Sequence, residues 1–265
     1  MRRLIVMIWV VIAGAAMAQD LPEGMAGAEV VILGEVHDNA AIHARQAELV
    51  AALAPKAVVF EMLTRSQAER AKPSLRSEAG KLEAALGWKD TGWPGFAMYY
   101  PIFLASGEAK FYGAAVPRRE ARAAMKAGIA ESFGPEAEAY GLNTALAEAE
   151  QAAREQEQHL AHCEAMPPEM LPVMVALQRL RDATLARAVV QALHETGGPV
   201  VVITGNGHAR RDWGVPRLVE KVAPEVTVFA LGLLEEGSGD AARFDASERF
   251  PEAERDDPCA AFQKG

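Results

Sequence analysis

The chain of 265 residues carries 36 acidic against 27 basic side chains, a formal net charge of −9. Such a chain lacks the basic surface that neutralises phosphates, so nucleic acid is excluded as an expected partner. Half of the residues are hydrophobic and 24% are charged, which is the balance of an ordinary globular protein with enough chain for one substantial core.

The chain opens with Arg2 and Arg3, then an apolar run from Leu4 to Ala13, then Ala16-Met17-Ala18 before Gln19. This is the pattern of a secretory signal peptide (residues 1–18) cut after Ala18. The apolar run is too short to span a bilayer, and no comparable run follows. The expected mature protein, residues 19–265, is therefore a single domain, periplasmic or secreted, with no transmembrane segment. No cysteine stands at the cut to carry a lipid anchor.

Five short apolar runs read as strands: Val30 to Leu33, Ala57 to Phe60, Phe111 to Val116, Val200 to Ile203 and Val226 to Leu231. Between the first two, Ala40 to Leu53 is Ala-rich and amphipathic and stops before Pro55, as a helix does. Ser66 to Leu86 is again helical in composition, with Pro73 breaking it. Gly87 to Gly95 is a loop of turn formers that carries Trp88 and Trp93. From about 118 to 195 the pattern is almost wholly helical. Ala145 to His162 reads as a solvated helix, whereas Glu169 to His194 places Met170, Met174, Leu177, Leu180, Leu185 and Val189 on a face that must be covered. That face fills a core or cradles a flat apolar ligand. The expected class is α/β: a mostly parallel sheet with flanking helices and an inserted helical lobe on one side of its crevice. The tail, about 235–265, is rich in Gly, Asp, Glu and Arg and shows no sustained period.

The two cysteines, Cys163 and Cys259, are expected to pair in an oxidising compartment and to tether that tail. The competing reading is a metal site of His159, His162 and Cys163, which has helical spacing but no fourth ligand nearby.

Three of the strands run directly into polar residues: Glu35 and His37 after the first, Glu61 after the second, and His208 after the fourth. In an open parallel sheet, ligands bind beyond the carboxyl ends of the strands, where distant segments converge. Glu35, His37, Glu61 and His208 are therefore expected in one crevice. As a set they suit a divalent metal whose bound water would be acidified for hydrolysis. They suit equally a metal-free general base, His37 or His208, oriented by a carboxylate. The bland alternatives are helix caps and turns, or a fully hydrogen-bonded buried network. No His-Glu-x-x-His, Gly-x-Ser-x-Gly or phosphate-loop motif is present.

Several of these motifs together resemble a known family. They are Gly34-Glu35-Val36-His37-Asp38-Asn39 with His43 and Gln46, Glu61, Gln178-Arg179-Leu180-Arg181-Asp182, and Gly205-Asn206-Gly207-His208-Ala209-Arg210. In this order they resemble the ChaN-like haem-binding uptake family, itself similar to the Tiki, TraB and erythromycin esterase superfamily. The resemblance runs from about Glu29 to Cys259, and Asp257-Pro258-Cys259 and His162-Cys163 also match members. It implies a role in bacterial haem or iron uptake, with haem held by tyrosinate at a dimer interface and an outer-membrane haem transporter as a partner. Tyr99, with Tyr100 beside it, stands in the matching stretch. A phenolate is a suitable hard ligand for ferric haem, and without a Cys-x-x-Cys-His motif the haem would be noncovalent. The alternative that Tyr99 and Tyr100 pack at a turn before Pro101 stays open. So does the hydrolase reading of the strand-end cluster, since the wider superfamily contains hydrolases.

Overall fold

A computed structural model describes residues 21–257, 259 and 260. The signal-peptide expectation for residues 1–18 lies outside the described residues. Three strands, Val30–Glu35 (β1), Ala57–Phe60 (β2) and Val200–Gly205 (β4), are buried at every position. Both of their faces are covered, which is why they read as continuous apolar runs rather than as an alternation. With Lys110–Gly113 (β3), Val228–Glu235 (β5) and Ala246–Phe250 (β6) they form one six-stranded sheet in the order β3-β2-β4-β1-β5-β6. Every pairing is parallel, and the register sets Glu35 opposite Gly205 and Phe60 opposite Ile203. The expected α/β class with a parallel sheet is what the chain forms.

Alternate strand residues point to opposite layers. Val31, Leu33, Val58, Phe60, Val201 and Ile203 belong to one core. It also takes in apolar residues of Ala40–Leu53 (α1), Ala79–Leu86 (α3) and Phe96–Ala105 (α4), with the shorter Arg65–Arg70 (α2) at its edge. Val30, Ile32, Val59, Val200 and Val202 belong to the other. That layer holds Arg118–Ala127 (α5), Ile129–Phe133 (α6), Leu171–Thr196 (α8) and Val215–Val222 (α10). Glu148–Ala161 (α7) lies outside α8 and buries only Arg154, as its polar composition leads one to expect.

Local chemistry sets the boundaries. The Asn39 side chain caps α1 by accepting from the amides of Ala41 and Ile42, and Ala54 turns left-handed just before Pro55. Thr64 and Gln67 form a reciprocal capping box at the start of α2. After β1 the chain enters α1 on one layer; after β4 it passes through the one-turn helix Asn206–Ala209 (α9) into α10 on the other. The loops after adjacent strands β1 and β4 therefore part company, and a crevice opens between them.

Four expectations need correction. The third strand ends at Gly113 rather than Val116. The fifth begins at Val228 and reaches Glu235. Tyr99 and Tyr100 lie inside α4, not at a turn, and the helix continues through Pro101. The tail is not irregular throughout, because β6 adds to the sheet with Ala246 opposite Leu231. This edge strand is half exposed and short, so it carries no apolar run; side chains hold it, with Arg45 Nε donating to Glu248 at 2.8 Å. Cys163 and Cys259 are joined in a disulfide that closes 96 residues of chain, which consumes the thiol that a His159, His162 and Cys163 metal site would need. Among the described residues no helix is long and apolar enough to cross a membrane.

Candidate functional site at the strand ends

Glu35 is the last residue of β1, so its carboxylate sits at the buried rim of the sheet, 2% exposed. Its Oε1 accepts from the Tyr99 hydroxyl at 2.7 Å and from His37 Nδ1 at 2.8 Å. With Nδ1–H committed to a carboxylate, Nε2 is the imidazole nitrogen left for another partner. His43, from α1, brings Nε2 to 3.6 Å of the same oxygen, too far for a hydrogen bond. The His37 side chain is 39% exposed and meets Trp93 edge-on at 4.8 Å between ring centroids. Its ring lies on Gly205, where an added Cβ would stand 3.0 Å from Cε1 and 3.1 Å from Nε2.

Glu61 follows β2 and turns its Oε2 toward β4, accepting from the Thr204 hydroxyl at 2.7 Å and the Gly205 amide at 2.8 Å. Its Oε1 lies 3.5 Å from His208 Nε2. His208, on α9, donates from Nδ1 to Asp182 Oδ1 at 2.6 Å, and the Gln178 amide nitrogen stands 3.3 Å from that ring nitrogen. The four residues expected together do meet at the strand ends. They form two linked pairs, Glu35 with His37 and Glu61 with His208, on either side of Gly205.

The charges follow from this packing. Burial would raise the Glu35 carboxyl, but the His37 hydrogen bond and the nearness of the His37 and His43 imidazoles outweigh it and bring it down to about 2. Burial would lower His37, yet Glu35 and Glu61 raise it. Buried His208 lies between Glu61 and Asp182, and their charges overcome desolvation to push it up to about 10. Glu61 is held below the carboxylate range despite burial, chiefly by His208. The site therefore holds His208 as an imidazolium between two carboxylates at neutral pH, beside a His37–Glu35 pair whose imidazole is raised above its ordinary value, a set able to hydrogen-bond an anionic group or to move a proton.

A cavity of about 920 Å³ opens over these groups, bordered by His37, Glu61, Trp93, Arg118, Arg181 and His208. The structure lends no support to a divalent metal: among the described residues, no three His, Cys, Asp or Glu side chains are arranged to hold one. Glu35 Oε1 and Glu61 Oε2 are instead taken up by Tyr99, His37, Thr204 and the Gly205 amide.

Tyr99 does not offer a phenolate to the surface. It is fully buried, its hydroxyl donates to Glu35, and burial together with the Glu35 charge drives its ionisation far upward. Tyr100 is half-buried on the outer side of α4 and leans on Phe96 at 5.7 Å. Among the described residues its hydroxyl has no hydrogen-bond partner. Exposed Ala97 and Pro101 and the 51%-exposed Leu104 continue the stripe one turn to each side.

Sequence reasoning passed over Asp182 as a partner of His208, and Tyr99 as a donor to Glu35. The signal for Asp182 was present: Gln178 and Asp182 are four apart, on one face of a helix, and both reach the same imidazole. For Tyr99 no local signal exists, because 64 residues separate it from Glu35.

A doubly wound parallel sheet with carboxylate–imidazole pairs at its strand ends is the class that fold and site define. The sequence model of the family described as "Haem-binding uptake, Tiki superfamily, ChaN" matches residues 21–219, and the chain belongs to that family. Among solved structures, the chain is similar to ChaN of Campylobacter jejuni, whose structure is described as showing cofacial heme binding. They share 20% identity over 84% of this chain and 87% of that one, with a TM-score of 0.63. A looser overlay is found with the type III effector HopBA1, at 10% identity over 86% and 90% of the two chains and a TM-score of 0.46. No curated protein matches the chain.

Proposed function

We propose that this chain is an exported protein of bacterial haem uptake that binds haem noncovalently. Membership of the haem-binding uptake family carries the reading. The signal-peptide pattern supports export, and isolation of a periplasmic form that begins at Gln19 is the outcome that checks it. Of the two candidate tyrosines, Tyr100 is assigned as the ferric-iron ligand. Its hydroxyl is unpartnered among the described residues and it lies in an exposed apolar stripe on α4 that offers a surface to a porphyrin. A phenolate there would supply anionic axial ligation to the iron. Tyr99 instead acts beneath it as the buried donor that steadies Glu35. The same stripe is where two copies would face one another around haem received from an outer-membrane transporter. Resonance Raman of the hemin complex is expected to show phenolate-to-iron charge-transfer bands that vanish in Tyr100→Phe and persist in His37→Ala; bands that survive Tyr100→Phe would move the ligand elsewhere.

A second reading belongs to the crevice. His208 held charged between Asp182 and Glu61, facing His37 with its Glu35 partner across a cavity of about 920 Å³, supports a histidine-based hydrolase that needs no metal. Release of product from a panel of carboxylic esters and amides, abolished in both His37→Ala and His208→Ala, is its expected signature. Turnover unchanged in those variants would remove it.

A further inference from the structure

Behind the crevice, on the far side of the Asp182 carboxylate from His208, a separate cavity of about 450 Å³ lies between α7, α8 and α10. Its charged lining is lopsided: Arg154, Arg179, Arg217 and Lys221 face only Glu150 and Asp182. Glu150 is already shared by Arg154 and Arg217. Among the described residues Arg179 donates only to neutral acceptors, the carbonyls of Gly141 and Thr144, at 2.7 and 2.8 Å. Lys221 has no ion-pair partner among the described residues.

Two wall residues are also left incomplete. Among the described residues, 7%-exposed Arg154 has no hydrogen-bond partner at Nε, and 1%-exposed Asp182, whose Oδ1 takes His208, has none at Oδ2. Unmet buried polar atoms of this kind are costly and invite a partner. One is a donor and the other an acceptor, and both belong to the lining of one cavity with an excess of positive charge. Arg179 is pushed below its ordinary value by burial and by the neighbouring charges of Arg154 and Arg217, a repulsion that an anion would relieve.

We propose that this cavity is a binding site for a small oxyanion that keeps a proton at neutral pH, of which hydrogen phosphate is the simplest. Its unprotonated oxygens accept from Arg154, Arg179 and Lys221, and its one O–H donates to Asp182 Oδ2. Sulfate has the same shape and charge but no proton at neutral pH, so it would set an oxygen against Asp182. The site is distinct from the α4 stripe and stands whatever the fate of the haem reading. It is joined to the crevice through Asp182, which serves both.

Isothermal titration of the disulfide-intact protein with inorganic phosphate, in a phosphate-free buffer at neutral pH, tests this. Saturable binding is expected, with sulfate roughly tenfold weaker or worse. Lys221→Met removes an exposed side chain and leaves the core untouched, so it is expected to fold and to weaken phosphate several-fold; Arg154→Met is expected to weaken it more. Absence of saturable phosphate binding, or equal affinity in wild type and Lys221→Met, would overturn the site. Equal affinity for phosphate and sulfate would overturn the role given to Asp182.

Discussion

Glu35 Oε1 takes two hydrogen bonds at once, from the Tyr99 hydroxyl and the His37 imidazole, and the ionic state of the crevice follows from that and from the Asp182–His208–Glu61 row. These groups give stability a definite pH dependence. Glu35 falls from an ordinary 4.5 to about 2 on folding, so its contribution is present above pH 4.5 and is lost as pH drops toward 2. His208 rises from 6.5 to about 10, so its contribution is present below pH 6.5 and is lost as pH climbs toward 10. Urea unfolding at stepped pH is expected to show both limbs, with the alkaline one flattened in His208→Gln; an alkaline limb unchanged in that variant would refute the assignment. Gly205 is as constrained as the charges. A methyl group there meets the His37 ring, and Gly205→Ala is expected to cost about 1–3 kcal/mol and to perturb the His37 titration in NMR. Glu35, His37, Glu61 and His208 were legible in the sequence because each follows an apolar run at a strand end. The partners that set their charge were not, since Tyr99 and Asp182 arrive from helices far along the chain.

At the scale of elements, sequence and structure agree where burial is complete and diverge where it is partial. β1, β2, β4 and α1 announce themselves by unbroken apolar runs or by a cap and a proline. β6 does not, because an edge strand of Ala246-Ser247-Glu248-Arg249-Phe250 needs neither two apolar faces nor length. Its place is fixed by Arg45, Asp245 and β5 rather than by its own composition. α4 was hidden by Pro101, which reads as a breaker yet sits within the helix, where the bond it forgoes would have run back to Ala97. Beyond β6 the tail is stapled twice. Arg255 pairs with Asp38, next to His37, at 2.9 Å and with Glu235, and Cys259 is bonded to Cys163. For a loop of 96 residues the chain-entropy argument gives the disulfide about 4–5 kcal/mol. Guanidinium unfolding of a Cys163→Ser/Cys259→Ser double variant is expected to show most of that loss with the native circular dichroism retained. A loss below about 1 kcal/mol would mean that the reduced chain is held by other constraints.

For the whole molecule, the strand order decides where chemistry can occur. With α1 leaving β1 on one side and α10 leaving β4 on the other, the residues that converge from β1, β2 and β4 are those at and just past their carboxyl ends, and among them are the glutamates and histidines. The α4 stripe contributes no residue to the cavity over that point, so the haem surface proposed there and the crevice share no ligand. The general class was readable from the order of strands and helices, and so was the prospect of tyrosines at a surface patch apart from the crevice; which of the two adjacent tyrosines stays at the surface was not, because that depends on which one the core swallows. Haem binding through Tyr100 is what is proposed of this molecule. Hemin titration of the mature protein, followed by absorbance, tests it most directly. A saturable Soret shift is expected in wild type, kept in His37→Ala and lost in Tyr100→Phe. No saturable shift in the wild-type protein, or a Tyr100→Phe variant that binds hemin as wild type does, would contradict it.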